Sequence, residues 1–196
     1  MALYKGEDKI KDIYLGDVPI FKVYAGEEFC GFFTFSHENL VENSDFTSTS
    51  NWTAWQGTGS VANGVYTLVG DTTHDVCAIY QDPPTTIGNL YYISGEFMTP
   101  DSDIAKIRLA FDNEYSYEQI SPVANTWYKK SYLRTAVGTL GRFLFMLYHA
   151  TSISGKTINA RNPILINITD LVSRGILPSG LTDSQYKDIL DNYFNS

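Results

Sequence analysis

The chain has 196 residues, 43% of them hydrophobic, 14% aromatic and 18% charged, with a net charge of −8 at pH 7. That composition fills a core and excludes a chain disordered throughout. The acidic balance argues against nucleic acid or an anionic membrane as partner, since either needs a basic face.

The opening residues repeat one phrase. Tyr4-Lys5-Gly6-Glu7 returns as Tyr14-Leu15-Gly16-Asp17, and again as Tyr24-Ala25-Gly26-Glu27. Each copy pairs a short β-rich run with a Gly-acidic turn, so residues 9–15 and 20–25 read as strands joined through Gly16-Asp17. Residues 1–35 are expected to form a β-meander too small to bury a core of its own. It therefore reads as an attachment module, with Ile13, Leu15, Phe21 and Val23 on one face and Tyr14 and Tyr24 on the other as its assembly interface. Open strand edges favour a homo-oligomer. Cys30 and Cys77 lack metal-ligand spacing and read as two buried thiols.

From residue 36 to 168 the texture changes. Strand-like runs at 64–70, 75–81, 89–97, 103–112, 127–135, 142–150 and 162–168 alternate with turn-forming clusters. In the fourth run Ala105, Ile107, Leu109 and Phe111 face a core while Lys106 and Arg108 face water. In the sixth, Phe143, Phe145 and Leu147 oppose Leu144, Met146 and Tyr148, and apolar residues on both faces mark a central strand. Residues 169–196 close the chain. Pro178 and Gly180 interrupt helix there, and Thr182 or Asp183 then caps one that places Tyr186, Ile189, Leu190 and Tyr193 on one side. The fold class is mainly β: an antiparallel jelly-roll sandwich preceded by a small repeat-built β-meander and followed by a short C-terminal helix. No apolar run is long enough to cross a bilayer, and "MALYKGEDK" lacks the apolar stretch of a signal peptide, so a soluble protein made in a cytoplasm is expected.

Catalysis is not expected. His74 and Asp75 are neighbours on a strand and point to opposite faces, and His149 ends an apolar strand. Asp101/Asp103 and Asp112/Glu114 lie at predicted turns, and no phosphate loop occurs. Glycan binding uses aromatic rings stacked on sugar C–H faces, with amides and acids fixing hydroxyls. The candidates are Trp55, Tyr115 and Tyr117 in loops and Tyr148 on a strand face, with Gln56, Asn113 and Glu114 as polar neighbours.

Three resemblances accompany this reading. The opening phrase resembles the "IYLGD…VYAGE" start of structural proteins of phages of low-GC Gram-positive bacteria. "NLVENSDFTSTSNWTAW", through Asn39, Leu40, Asn43, Phe46 and Trp52, resembles the opening of carbohydrate-binding-module-like jelly rolls. Trp127 and Lys130 in "NTWYKKSYLRT" and the closing "INARNPILIN" continue that match, which implies core positions for Trp52 and Trp127. Thr169, Asp170, Leu171, Gly175, Pro178, Tyr186 and Leu190 are similar to a common ending of tail and baseplate proteins of the same phages; Val172 and Leu177 depart from it. The resemblances imply a non-enzymatic virion protein of the tail, baseplate or capsid-decoration type, made in the host bacterial cytoplasm, with other virion proteins as partners. The alternative they imply is an adhesin for a bacterial surface glycan. Members with structural calcium often carry an acidic residue where this chain reads Ile158-Asn159-Ala160-Arg161, so no metal or cofactor is assigned.

Overall fold

The computed structural model describes residues 13–15, 18–25, 28–34, 39–71, 73–112 and 116–194. The chain forms two compact units, residues 1–37 with 171–196 and residues 38–170.

In the first unit, β1 (Ile13–Leu15), β2 (Val18–Ala25) and β3 (Glu28–Thr34) form an antiparallel meander in that order. Leu15 pairs with Val18 and Ala25 with Glu28. The register corrects one expectation. Ile13 pairs with Ile20 and Leu15 with Val18, one residue out of phase with a grouping of Ile13 and Leu15 with Phe21 and Val23. A slip of one residue in register reverses the alternation of faces. The side chains of Ile13, Tyr14, Leu15, Phe21, Val23 and Tyr24 lie outside what the structure describes.

The second unit is a β-sandwich. Its strands are β4 (Thr53–Trp55), β5 (Gly57–Ala62), β6 (Val65–Gly70), β7 (Val76–Gln81) and β8 (Leu90–Met98). They continue with β9 (Lys106–Phe111), β10 (Ser116–Ile120), β11 (Tyr128–Thr135), β12 (Phe143–Tyr148) and β13 (Thr157–Asn167). Two five-stranded antiparallel sheets result, ordered β10-β9-β12-β7-β4 and β11-β8-β13-β6-β5. Alternate residues of facing strands interdigitate between them. Ile79, Leu109, Phe143 and Phe145 come from the first sheet, and Leu68, Ile93, Phe97 and Leu165 from the second. β12 lies between β9 and β7, with Phe143, Phe145 and Leu147 in the core between the sheets and Leu144 and Met146 in a second apolar cluster on its other face. Ala105 lies outside β9 and is exposed; its N–H donates to the Tyr148 carbonyl at 3.0 Å.

The loop before β4 explains the Asn-rich opening. Asn39 Nδ2 donates to the Pro163 carbonyl at 2.9 Å, and its Oδ1 accepts the Leu165 N–H at 2.9 Å. These bonds serve β13 where its register with β8 shifts between Arg161 and Ile164, at a proline that has no N–H to give. Asn43 Nδ2 donates to the carbonyls of Ser48 (2.7 Å) and Ser50 (3.0 Å), closing the loop. Phe46 and Trp52 thereby reach the core with ring centroids 5.0 Å apart. Asn63 and Gly64, at φ 52° and 73°, turn β5 into β6 as a two-residue hairpin.

Two helices follow. α1 (Ile168–Ser173) is capped by Asn167 Oδ1, which accepts the Asp170 N–H at 3.0 Å, and the chain leaves it through Gly175 at φ 71°. α2 (Asp183–Phe194) opens on a reciprocal cap: Gln185 N–H donates to Thr182 Oγ1 (3.3 Å), and Thr182 N–H donates to Gln185 Oε1 (2.8 Å). Tyr186 and Leu190 are its buried residues, and the Tyr186 hydroxyl donates to the Pro178 carbonyl at 2.8 Å.

Candidate functional site

Residues paired across antiparallel strands share a face. The registers of the first sheet therefore assemble its outward surface in rows. One row runs Gln119, Arg108, Met146, Ala78, Trp55 across all five strands. The next runs Tyr117, Ala110, Leu144, Tyr80, Thr53, and a third brings Lys106, Tyr148 and Val76 together. Ala78, Ala110, Leu144 and Met146 form an apolar floor, none more than 3% exposed, packed against Val76, Tyr80 and Tyr148.

Trp55 and Tyr117 border that floor. At 41% and 43% exposure they are the exposed aromatic side chains among the described residues, and both stand on this one face. They belong to the two edge strands, four strand spacings apart or about 19 Å. Both were expected in loops. They lie instead in β4 and β10, short edge strands whose sequences lack the long β-branched runs that announce a strand.

Arg108 lies between two of the rings. Its guanidinium carbon is 4.2 Å from the Tyr117 centroid and 4.5 Å from that of Tyr148. Nε donates to Gln119 Oε1 at 2.8 Å and Nη1 to the Tyr148 hydroxyl at 3.0 Å. The Tyr148 hydroxyl in turn donates to Met146 Sδ at 3.5 Å. On the other side of the floor Arg142 stacks on Tyr80 at 4.2 Å and holds Asp82 through two bonds of 2.8 and 3.0 Å.

Of the sequence candidates, Trp55, Tyr117 and Tyr148 thus share a face. Gln56 does not join them: its side-chain oxygen is buried without a hydrogen-bond partner. Asn113, Glu114 and Tyr115 lie outside the described residues. Arg108, Gln119, Tyr80 and Met146 were not singled out for a site. The alternation of Lys106 and Arg108 against Ile107 and Leu109 marked Arg108 as outward-facing, but only the pairing of β9 with β10 and β12 sets it between two tyrosines.

The groups with catalytic potential brace the fold. Asp101 Oδ2 accepts the Thr157 N–H at 2.8 Å, and Asp112, buried, accepts the Val137 N–H at 2.8 Å. Asp103 takes Lys156 Nζ at 2.7 and 2.8 Å and His149 Nε2 at 3.2 Å; the Lys156 hydrogen bond chiefly holds its carboxyl below the usual range. Burial, aided by the charge of Asp71, pushes the Cys77 thiol up to about 12 and leaves it a poor nucleophile. Trp127 corrects the resemblance in part. Trp52 is core, but Trp127 is half-exposed beneath the Arg161 guanidinium at 4.1 Å.

No protein-family profile and no curated protein matches this chain. Solved structures do. An arabinose-bound α-L-arabinofuranosidase, MgGH51, is similar over 66% of this chain and 26% of its own length, with a TM-score of 0.52 and 14% identity. A CBM4 structure is similar over 65% of this chain and 99% of its own, with a TM-score of 0.48 and 16% identity. A family 16 carbohydrate-binding module is similar over 66% and 100%, with a TM-score of 0.46 and 14% identity. The likeness is one of fold. It concerns only part of the arabinofuranosidase, about a quarter of that chain.

Proposed function

We propose that residues 38–170 form a glycan-binding module whose sugar lies on the outward face of the β10-β9-β12-β7-β4 sheet. The observation that carries this reading is the placement of Trp55 and Tyr117 on one face over a continuous apolar floor. An exposed apolar residue alone needs no explanation, whereas two exposed aromatics on one sheet face suit stacking on sugar rings. Sugar rings offer C–H faces to indole and phenol, and Gln119 beside Tyr117 on β10 and Arg108 on β9 offer polar groups to hydroxyls. These groups hold a ligand rather than cleave one, so the reading is of binding without catalysis.

Calorimetric titration of the full chain against an oligosaccharide panel tests it. Trp55→Ala and Tyr117→Ala are each expected to weaken binding about tenfold, the equivalent of ~1.4 kcal/mol, at unchanged melting temperature. Full affinity in both variants would move the sugar to another surface.

The placement of this module on a phage virion, as a tail, baseplate or capsid-decoration protein beside other virion proteins, is a second and finer proposal. It is supported by the Tyr-x-Gly-acidic phrase and the three-stranded meander containing it.

A further inference from the structure

We propose that the ligand of this face is an acidic saccharide, and that Arg108 receives the carboxylate of a uronic-acid unit. The inference rests on the glycan-binding reading above and names the sugar class.

A guanidinium carries five N–H donors in a planar fork. Two are committed in Arg108, one to Gln119 and one to the Tyr148 hydroxyl, and both acceptors are neutral. The Tyr117 and Tyr148 rings approach from the strands on either side, so the remaining donors are directed along the edge of the fork. That edge matches a carboxylate bidentately.

The other arginines of the sandwich that stack on rings are neutralised. Arg142 has Asp82 at 2.8 Å, and Arg161 has Glu96 at 2.7 Å. Among the described residues Arg108 has no carboxylate partner, although the chain as a whole is acidic at −8. Lys106 adds a second cation to the same face, exposed and two residues along β9. A stacked, half-desolvated cation with free donors gains more from an incoming anion than from a hydroxyl. Trp55, in the same row three strand spacings or about 14 Å away, is left to stack on another unit of the chain.

The test is calorimetry on the full chain with trimers of galacturonate, glucuronate and mannuronate, each beside its neutral methyl ester. The expected result is that at least one acid binds about tenfold tighter than its own ester, and that this preference falls with added salt. In Arg108→Gln the preference disappears. In Arg108→Lys, which keeps charge but not the fork, only part of it survives. Esters bound as tightly as their acids would overturn the proposal and leave the glycan reading standing. Undiminished preference in a folded Arg108→Gln would overturn the role of Arg108. A folded protein that binds no acid and no ester, but does bind neutral oligosaccharides, would overturn the acidic class; one that binds no sugar at all would overturn both readings.

Discussion

Glu96 carries a measurable response to acid. Burial pushes its carboxyl upward, but hydrogen bonds from Asn162 (2.9 Å) and Arg161 (2.8 Å), with the charges of Arg161 and Lys129, outweigh it and hold the group below the usual carboxylate range. A depressed folded-state pKa contributes stability above the unfolded value, and that contribution is lost as pH falls through the folded one. Glu96→Gln is therefore expected to cost about 1 kcal/mol at pH 7 and progressively less under acid. Urea titrations of both proteins at pH 7 and in the acid range check this; an equal cost at both would show that the charge contributes nothing. At this scale the sequence was informative about residue type and less so about address. Trp55 and Tyr117 stood out as aromatics amid polar neighbours, yet their strands are too short and polar to be seen. Arg108 alternates visibly with Ile107 and Leu109, but its tyrosine neighbours come from strands whose adjacency no local pattern encodes.

Elements with apolar alternation were legible: β6, β7, β9, β11 and β12 fall inside expected runs, and β8 overruns its own by one residue, Met98. β4, β5 and β10 were not. They are edge strands, half-exposed, and β5 begins Gly-Thr-Gly. Its Gly59 has a physical reason, since a Cβ there would collide with the Tyr66 hydroxyl. β13 begins at Thr157, five residues before the expected run, and Asn39 supports its irregular stretch at Pro163. α1, with 6 residues, is too short to show a period. α2 was expected from its cap and its stripe, and the cap gives the prediction for this scale. Thr182→Ala removes the hydroxyl that accepts the Gln185 N–H and is expected to cost about 1 kcal/mol, while Thr182→Ser keeps most of it. Denaturant unfolding with helix content as readout decides. Equal stability in the two variants would mean that the cap contributes nothing.

For the whole molecule, the sandwich unit has its own core, so the proposed sugar binding and the proposed particle attachment are separately testable. Deletion of residues 1–35 is expected to leave affinity for the sugar within about twofold of the full chain. The same deletion is expected to abolish incorporation into phage particles, scored by immunogold microscopy. Particles that still carry the shortened protein would remove the meander from any attachment role. Lost sugar affinity in a folded product would show that the first unit takes part in binding. The sequence read as three segments, 1–35, 36–168 and 169–196, from a ten-residue repeat, a series of turn-bounded strands and a capped helical stripe. It could not order ten strands into two sheets, because that order is a matter of distant pairings.

Those pairings give the outward face its last property. The row that holds Arg108 and Trp55 takes one residue from each of five strands, from positions as far apart as Trp55 and Met146. No single strand or hairpin contains it, and no half-formed sheet displays it. The face comes into being only when pairings as distant as Met146 with Ala78 close. On the proposed reading, a bound sugar selects finished molecules from unfinished ones: it withdraws them from the unfolding equilibrium and raises the melting temperature with its own concentration. Recognition at this surface doubles as a census of completed folding.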